Sequence, residues 1–163
     1  MKKFTIAAAF AATVASTILT TAGSASAAGS GGLRDYCSDT QSALDDGYTV
    51  LFVPAGGFPF DGTNDKDLII GTTGDDDIDG KNGPDTICAF NGDDHIDGGR
   101  DDDSIFAMAG DDDADGEDGE DWVEGGNGDD EVHGGDGADH LVGGDGIDTC
   151  NGGLGSDTFD PSC

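Results

Sequence analysis

The sequence predicts an all-β solenoid of eleven nine-residue units, and three observations carry that expectation. A period of nine runs without insertion or deletion from Gly62 to Asp160. Every unit places an aspartate at its sixth position and an apolar or small side chain at its eighth. The seventh and ninth positions change character with a period of eighteen, as two units per coil would produce.

In nines the chain reads GTNDKDLII, GTTGDDDID, GKNGPDTIC, AFNGDDHID, GGRDDDSIF, AMAGDDDAD, GEDGEDWVE, GGNGDDEVH, GGDGADHLV, GGDGIDTCN and GGLGSDTFD. The sixth-position aspartates are Asp67, Asp76, Asp85, Asp94, Asp103, Asp112, Asp121, Asp130, Asp139, Asp148 and Asp157. At the eighth position stand Ile69, Ile78, Ile87, Ile96, Ile105, Ala114, Val123, Val132, Leu141, Cys150 and Phe159. Glycine fills nine of the eleven first positions and nine of the eleven fourth positions. An acidic, glycine-rich composition by itself describes a disordered chain. A drifting acidic tract does not hold register over eleven units, so the periodicity decides for a fold.

At these residues the chain resembles the RTX family, whose haemolysin-type repeat is G-G-x-G-x-D-x-U-x. The resemblance covers 99 residues. It implies a right-handed parallel β-roll in which six residues form a turn, three form a strand and two units complete a coil, with Ca²⁺ held between the turns of neighbouring coils. The eleven sixth-position aspartates are then the implied metal ligands. If each ion bridges the turns of units i and i+2, the odd turns offer five sites and the even turns four, a ceiling of about nine ions. The residue types suit that chemistry: glycine accepts the positive φ of a tight turn and exposes carbonyls, and aspartate adds the hard carboxylate oxygen that Ca²⁺ prefers. One inward apolar side chain per nine residues makes too thin a core to offset the backbone entropy lost on folding. Coordination is therefore expected to drive the fold.

The outward positions separate two faces. Odd units present Leu68 and Ile70, Thr86 and Cys88, Ser104 and Phe106, Trp122 and Glu124, His140 and Val142, Thr158 and Asp160; even units present mostly Asp, Glu, His and Asn. A partly apolar outer face needs a cover or a partner. Residues 28–61, which include the β-prone stretch YTVLFVPAGGFPF, are expected to cap the first coil and lie against the odd face. Residues 161–163 form a short tail.

Ahead of this segment, Lys2 and Lys3, the apolar run Phe4 to Leu19 and the small residues Ala25-Ser26-Ala27 read as a secretory signal peptide over residues 1–27 rather than a membrane span. Its removal leaves 36 acidic residues against Arg34, Lys66, Lys81 and Arg100, a net charge of −32, which repels nucleic acid and anionic lipid. Four cysteines in an exported chain favour two disulfides. On a β-roll, Cys88 lies on the odd face beside the segment that carries Cys37, and Cys150 is close to the C-terminal Cys163, so the expected pairs are Cys37–Cys88 and Cys150–Cys163.

Rival sites are weak. Asp75-Asp77-Asp79-Gly80 and Asp111-Asp113-Asp115-Gly116 open like EF-hand loops, but Thr86 and Trp122 stand where the twelfth-position glutamate belongs. His140 falls on the sheet opposite His95 and His133, which are two coils apart, so the three are not expected to converge. Family members often join the roll to a toxin, protease or lipase domain, and residues 28–61 are too few to hold one. The expected function is that of a secreted calcium-binding protein without enzymatic activity. The alternative is a calcium-dependent adhesion or recognition module whose odd face, through Trp122 and Phe106, meets carbohydrate or a cell-surface protein.

Overall fold

The computed structural model describes residues 37–163, so the expected signal peptide lies outside the described residues, as do residues 28–36. The chain is an all-β parallel solenoid of about six turns over residues 49–159, preceded by one short helix, Thr40–Asp45. Asp39 caps that helix by accepting from the Ser42 amide.

Two sheets carry the coils. The odd sheet orders Thr49–Phe52, Asp67–Ile70, Thr86–Asn91, Ser104–Ala109, Trp122–Asn127, His140–Asp145 and Thr158–Phe159. The even sheet orders Phe60–Asp61, Asp77–Asp79, His95–Arg100, Asp113–Asp118, Glu131–His133 and Thr149–Asn151. Pairing is parallel at a constant offset of eighteen residues, for example Ile87 with Ile105 and Ile96 with Ala114. Two nonapeptides therefore make one coil. Several strands run on into the next unit's first three residues, because second positions also pair, as Gly99 does with Glu117.

The eighth-position side chains from Ile69 to Leu141 are buried between the sheets in one continuous ladder, with Cys150 packed against its end. Phe159 departs from the expectation that every eighth residue points into a core: it is 51% exposed. Among the described residues no further strand stacks on Thr158–Phe159 to cover it. The tail bends back through the Cys150–Cys163 disulfide but leaves Phe159 and Leu154 open to solvent.

At the other end the register continues upstream of Gly62. Thr49 pairs with Asp67 and Phe60 with Ile78, again eighteen apart, so residues 44–52 and 53–61 form a coil in frame with the repeat. Leu51 and Phe60 occupy its eighth positions and pack against the ladder. Its sixth positions hold Thr49 and Phe58, which have no carboxylate. The helix and Tyr48 lie over the odd outer face, where Ala43, Tyr48, Leu68, Ile70, Cys88 and Phe106 form a second apolar cluster. Cys37 is tied to Cys88 across it, with the two Cα atoms 5.9 Å apart.

Candidate metal centre

Each strand is entered through a turn that ends at the sixth-position aspartate, and stacking the coils stacks these aspartates in two columns. Asp67, Asp76, Asp85, Asp94, Asp103, Asp112, Asp121, Asp130 and Asp139 are all buried. From Asp85 to Asp157, Oδ1 accepts the backbone N–H of the aspartate eighteen residues earlier, at 2.7–3.2 Å. The columns are thus held by carboxylate-to-amide hydrogen bonds between successive coils.

The other oxygen has no partner. Oδ2 of Asp85, Asp94, Asp103, Asp112, Asp121, Asp130, Asp139 and Asp148 is buried without a hydrogen bond. A partnerless buried carboxylate oxygen is costly, and a row of them is costlier because like charges accumulate. Burial accordingly pushes Asp85 up to about 7, Asp94 to about 6, Asp103 to about 8, and Asp112 and Asp121 to about 7, with neighbouring aspartates adding to the rise. Asp130 and Asp139 are raised for the same reasons. A divalent cation beside these oxygens removes both penalties, and an all-oxygen donor set selects a hard ion such as Ca²⁺. The residues fit the metal.

The turns supply the space. Their second residue is left-handed from the third unit onward, both where it is glycine, as at Gly126 (φ +124°), and where it is Lys81, Phe90, Met108 or Glu117 (φ +66° to +86°). A β-carbon at Gly98 would stand 2.8 Å from Asp103 Oδ2, so the first glycine clears room beside the partnerless oxygen. Ala89 and Ala107 take that first position in two units, and their methyls are wholly buried in the central ladder while Asp94 and Asp112 keep their partnerless oxygens. Asp101, which stands at a fourth position, adopts the turn conformation with φ +74°.

The first two units differ, and sequence reasoning missed the residues responsible. Asp67 Oδ2 accepts from the Thr63 amide at 2.6 Å and from its hydroxyl at 2.8 Å. Both Asp76 oxygens are likewise taken by Thr72, the amide at 2.7 Å and the hydroxyl at 3.1 Å. A signal was available: threonine is β-branched and resists left-handed backbone, whereas the unbranched Lys81, Phe90, Met108 and Glu117 accept it.

Histidines stay apart by sheet, with one qualification. His140 packs its ring against Trp122, 4.0 Å between centroids, on the odd face. On the even face His95 Nδ1 lies 3.4 Å from Asp113 Oδ2, and ligand atoms of Asp113, Glu131 and His133 lie within 4.8 Å of one another. Asp113 and Glu131 are exposed and His133 is half-buried, and the spacing of the histidines alone did not reveal this cluster, because carboxylates of intervening coils provide the link.

Buried carboxylate columns between stacked glycine-rich turns define a metal-binding β-roll. The model of the RTX calcium-binding nonapeptide repeat, four copies long, matches residues 60–87, 89–123 and 124–159, and the chain belongs to that family. Calcium binding follows from the repeat. No curated protein and no solved structure matches the chain. The family match covers the repeat alone, with no catalytic domain, and no helix among the described residues is long and apolar enough to cross a membrane.

Proposed function

We propose that this is a secreted protein whose β-roll folds around several Ca²⁺ ions, with the segment before Gly62 and the tail after Asp160 serving as end caps. The observation that carries the reading is the pair of columns of buried Asp Oδ2 atoms with no partner. The sixth-position aspartates would hold the ions, with turn carbonyls completing oxygen shells of the size Ca²⁺ takes. The ions would supply the charge compensation that the thin apolar ladder lacks. Two disulfides agree with an oxidising compartment outside the cell, as does the expected signal peptide. Calorimetric titration of the mature protein tests the reading: several ions per chain are expected, and uptake of only one or two would defeat it.

A second reading is favoured by one observation on the odd face. The helix covers this face only as far as Phe106, and beyond it lies a groove of about 530 Å³ lined by Phe106, Met108, Glu124, Val142, Asp160 and Ser162. The Trp122–His140 ring pair stands on the same sheet. A calcium-dependent adhesion role would use this surface, and a glycan and cell-binding screen with and without Ca²⁺ separates it from a purely calcium-binding one.

A further inference from the structure

From the contrast between the first two turns and the other nine, we infer that Thr63 and Thr72 take the place of the metal ion and end the calcium array before the N-terminal coil, leaving seven ion positions rather than nine. The inference rests on the calcium-binding reading above and concerns where in this chain the ions stop.

Three observations converge. Turns three to eleven share a left-handed second residue, whereas neither Thr63 nor Thr72 has positive φ. In turns three to ten the aspartate keeps a buried Oδ2 without a partner; in the first two turns Oδ2 is occupied by the threonine two positions after the preceding unit's end. Asp67 does retain one partnerless oxygen, but it is Oδ1, the atom that in later coils takes an amide from the coil before. The amide at that register, Thr49 N–H, donates instead to the Lys66 carbonyl at 2.9 Å.

The third observation is the coil upstream. It is in frame with the repeat but has Thr49 and Phe58 where aspartates would stand, so it offers no sixth-position carboxylate to a shared ion. A calcium column running to its end there would leave the last carboxylates half-coordinated beside apolar residues. A threonine amide and hydroxyl satisfy each of those carboxylates with neutral donors and no metal. Whichever turn of a pair supplies the carboxylate, a site between turns one and three or two and four is lost, since the first partner lacks both a free Oδ2 and the left-handed turn. The remaining odd turns form four pairs and the even turns three, seven in all. The N-terminal end, carrying the helix, the second apolar cluster and the Cys37–Cys88 bridge, is then a template that forms without the ion.

Counting ions tests this. Calcium bound per mature chain, measured by elemental analysis after equilibrium dialysis and by calorimetry, is expected to be seven. Thr72→Gly restores a glycine where the turn needs positive φ and frees Asp76, so its count should rise by one; Thr73→Gly, one residue on, should leave it at seven. Asp76→Asn should not lower the count, whereas Asp94→Asn on the same column should. Hydrogen exchange in chelator should show stronger protection of the amides in residues 49–70 than of those in residues 122–159. A wild type that binds calcium but takes nine ions, a Thr72→Gly variant that gains none, or loss of an ion in Asp76→Asn overturns the inference alone. A wild type that binds no calcium overturns the functional reading beneath it.

Discussion

Replacing Asp130 separates what the carboxylate does for the backbone from what it does for an ion. Asp130 is buried; Oδ1 accepts the Asp112 amide at 3.0 Å and Oδ2 has no partner. Asparagine keeps an acceptor for that amide but puts an NH₂ group, which cannot ligate a cation, where Oδ2 was. In Ca²⁺ at about one hundred times its dissociation constant, each lost site removes about 2.7 kcal/mol of stability, so Asp130→Asn should be destabilised by roughly that amount per ion. In chelator the sign should change. Burial and the charges of Asp148, Asp111 and Asp129 hold the Asp130 carboxyl above its ordinary range, so a neutral amide relieves an unfavourable charge and the variant should be as stable as wild type or more so. Asp130→Ala also leaves the Asp112 amide unsatisfied, which adds about 1–3 kcal/mol in both conditions. Urea unfolding followed by circular dichroism reads all four values. Equal destabilisation of Asp130→Asn with and without calcium would refute the metal role. In double-mutant cycles Asp130 should couple to Asp112 and Asp148 and be nearly independent of Asp121 and Asp139, because the hydrogen bonds link residues eighteen apart.

Further expectations concern pH, the end staple and the ladder. In the ion-free protein the folded-state pKa values of Asp85, Asp94, Asp103, Asp112 and Asp121, about 6 to 8, lie above the unfolded carboxylate value of about 3.9. Their contribution is therefore fully present below that unfolded value and is lost as pH rises through about 6 to 8; β content in chelator should fall between pH 5 and pH 8.5, and a flat or rising profile would contradict the burial assigned to these groups. Replacing Cys150 and Cys163 by serine opens a loop of 13 residues and should cost about 2–4 kcal/mol, with fraying confined to the last coils in hydrogen exchange; a uniform loss along the solenoid would argue against a local staple. Ile105→Ala removes a side chain with no exposed surface from the middle of the ladder and should cost about 2–5 kcal/mol in saturating calcium, as read by urea unfolding; a cost below about 1 kcal/mol would mean that the ladder is not packed there.

Much of this architecture was legible because the repeat states its own geometry. A sixth-position aspartate and an eighth-position apolar residue, held in register from Asp67 to Phe159, fix which side chains face the turns and which face the core, and the eighteen-residue alternation fixes two units per coil. The disulfide partners followed from the same register. What the pattern concealed lies where its letters fail while its backbone continues. Residues 44–61 keep the eighteen-residue pairing without a single sixth-position aspartate, so the solenoid begins a coil earlier than the motif does. Thr63 and Thr72 look like ordinary departures from glycine, no different from Lys81 or Met108. Only φ and the hydrogen bonds show that the latter preserve the turn while the threonines close it on their own aspartates. Phe159 matches the pattern but ends half exposed, since burial of an inward residue depends on the coil that follows it.

The central claim is that calcium coordination, rather than the apolar ladder, folds the repeat. Far-UV circular dichroism of the mature protein in chelator and in millimolar Ca²⁺ at pH 8 tests it most directly, because at that pH most of the buried carboxyls are charged when no ion is present. A large gain in β signal on adding calcium, reversed by chelator, is the predicted result; the same β content in both conditions would contradict it.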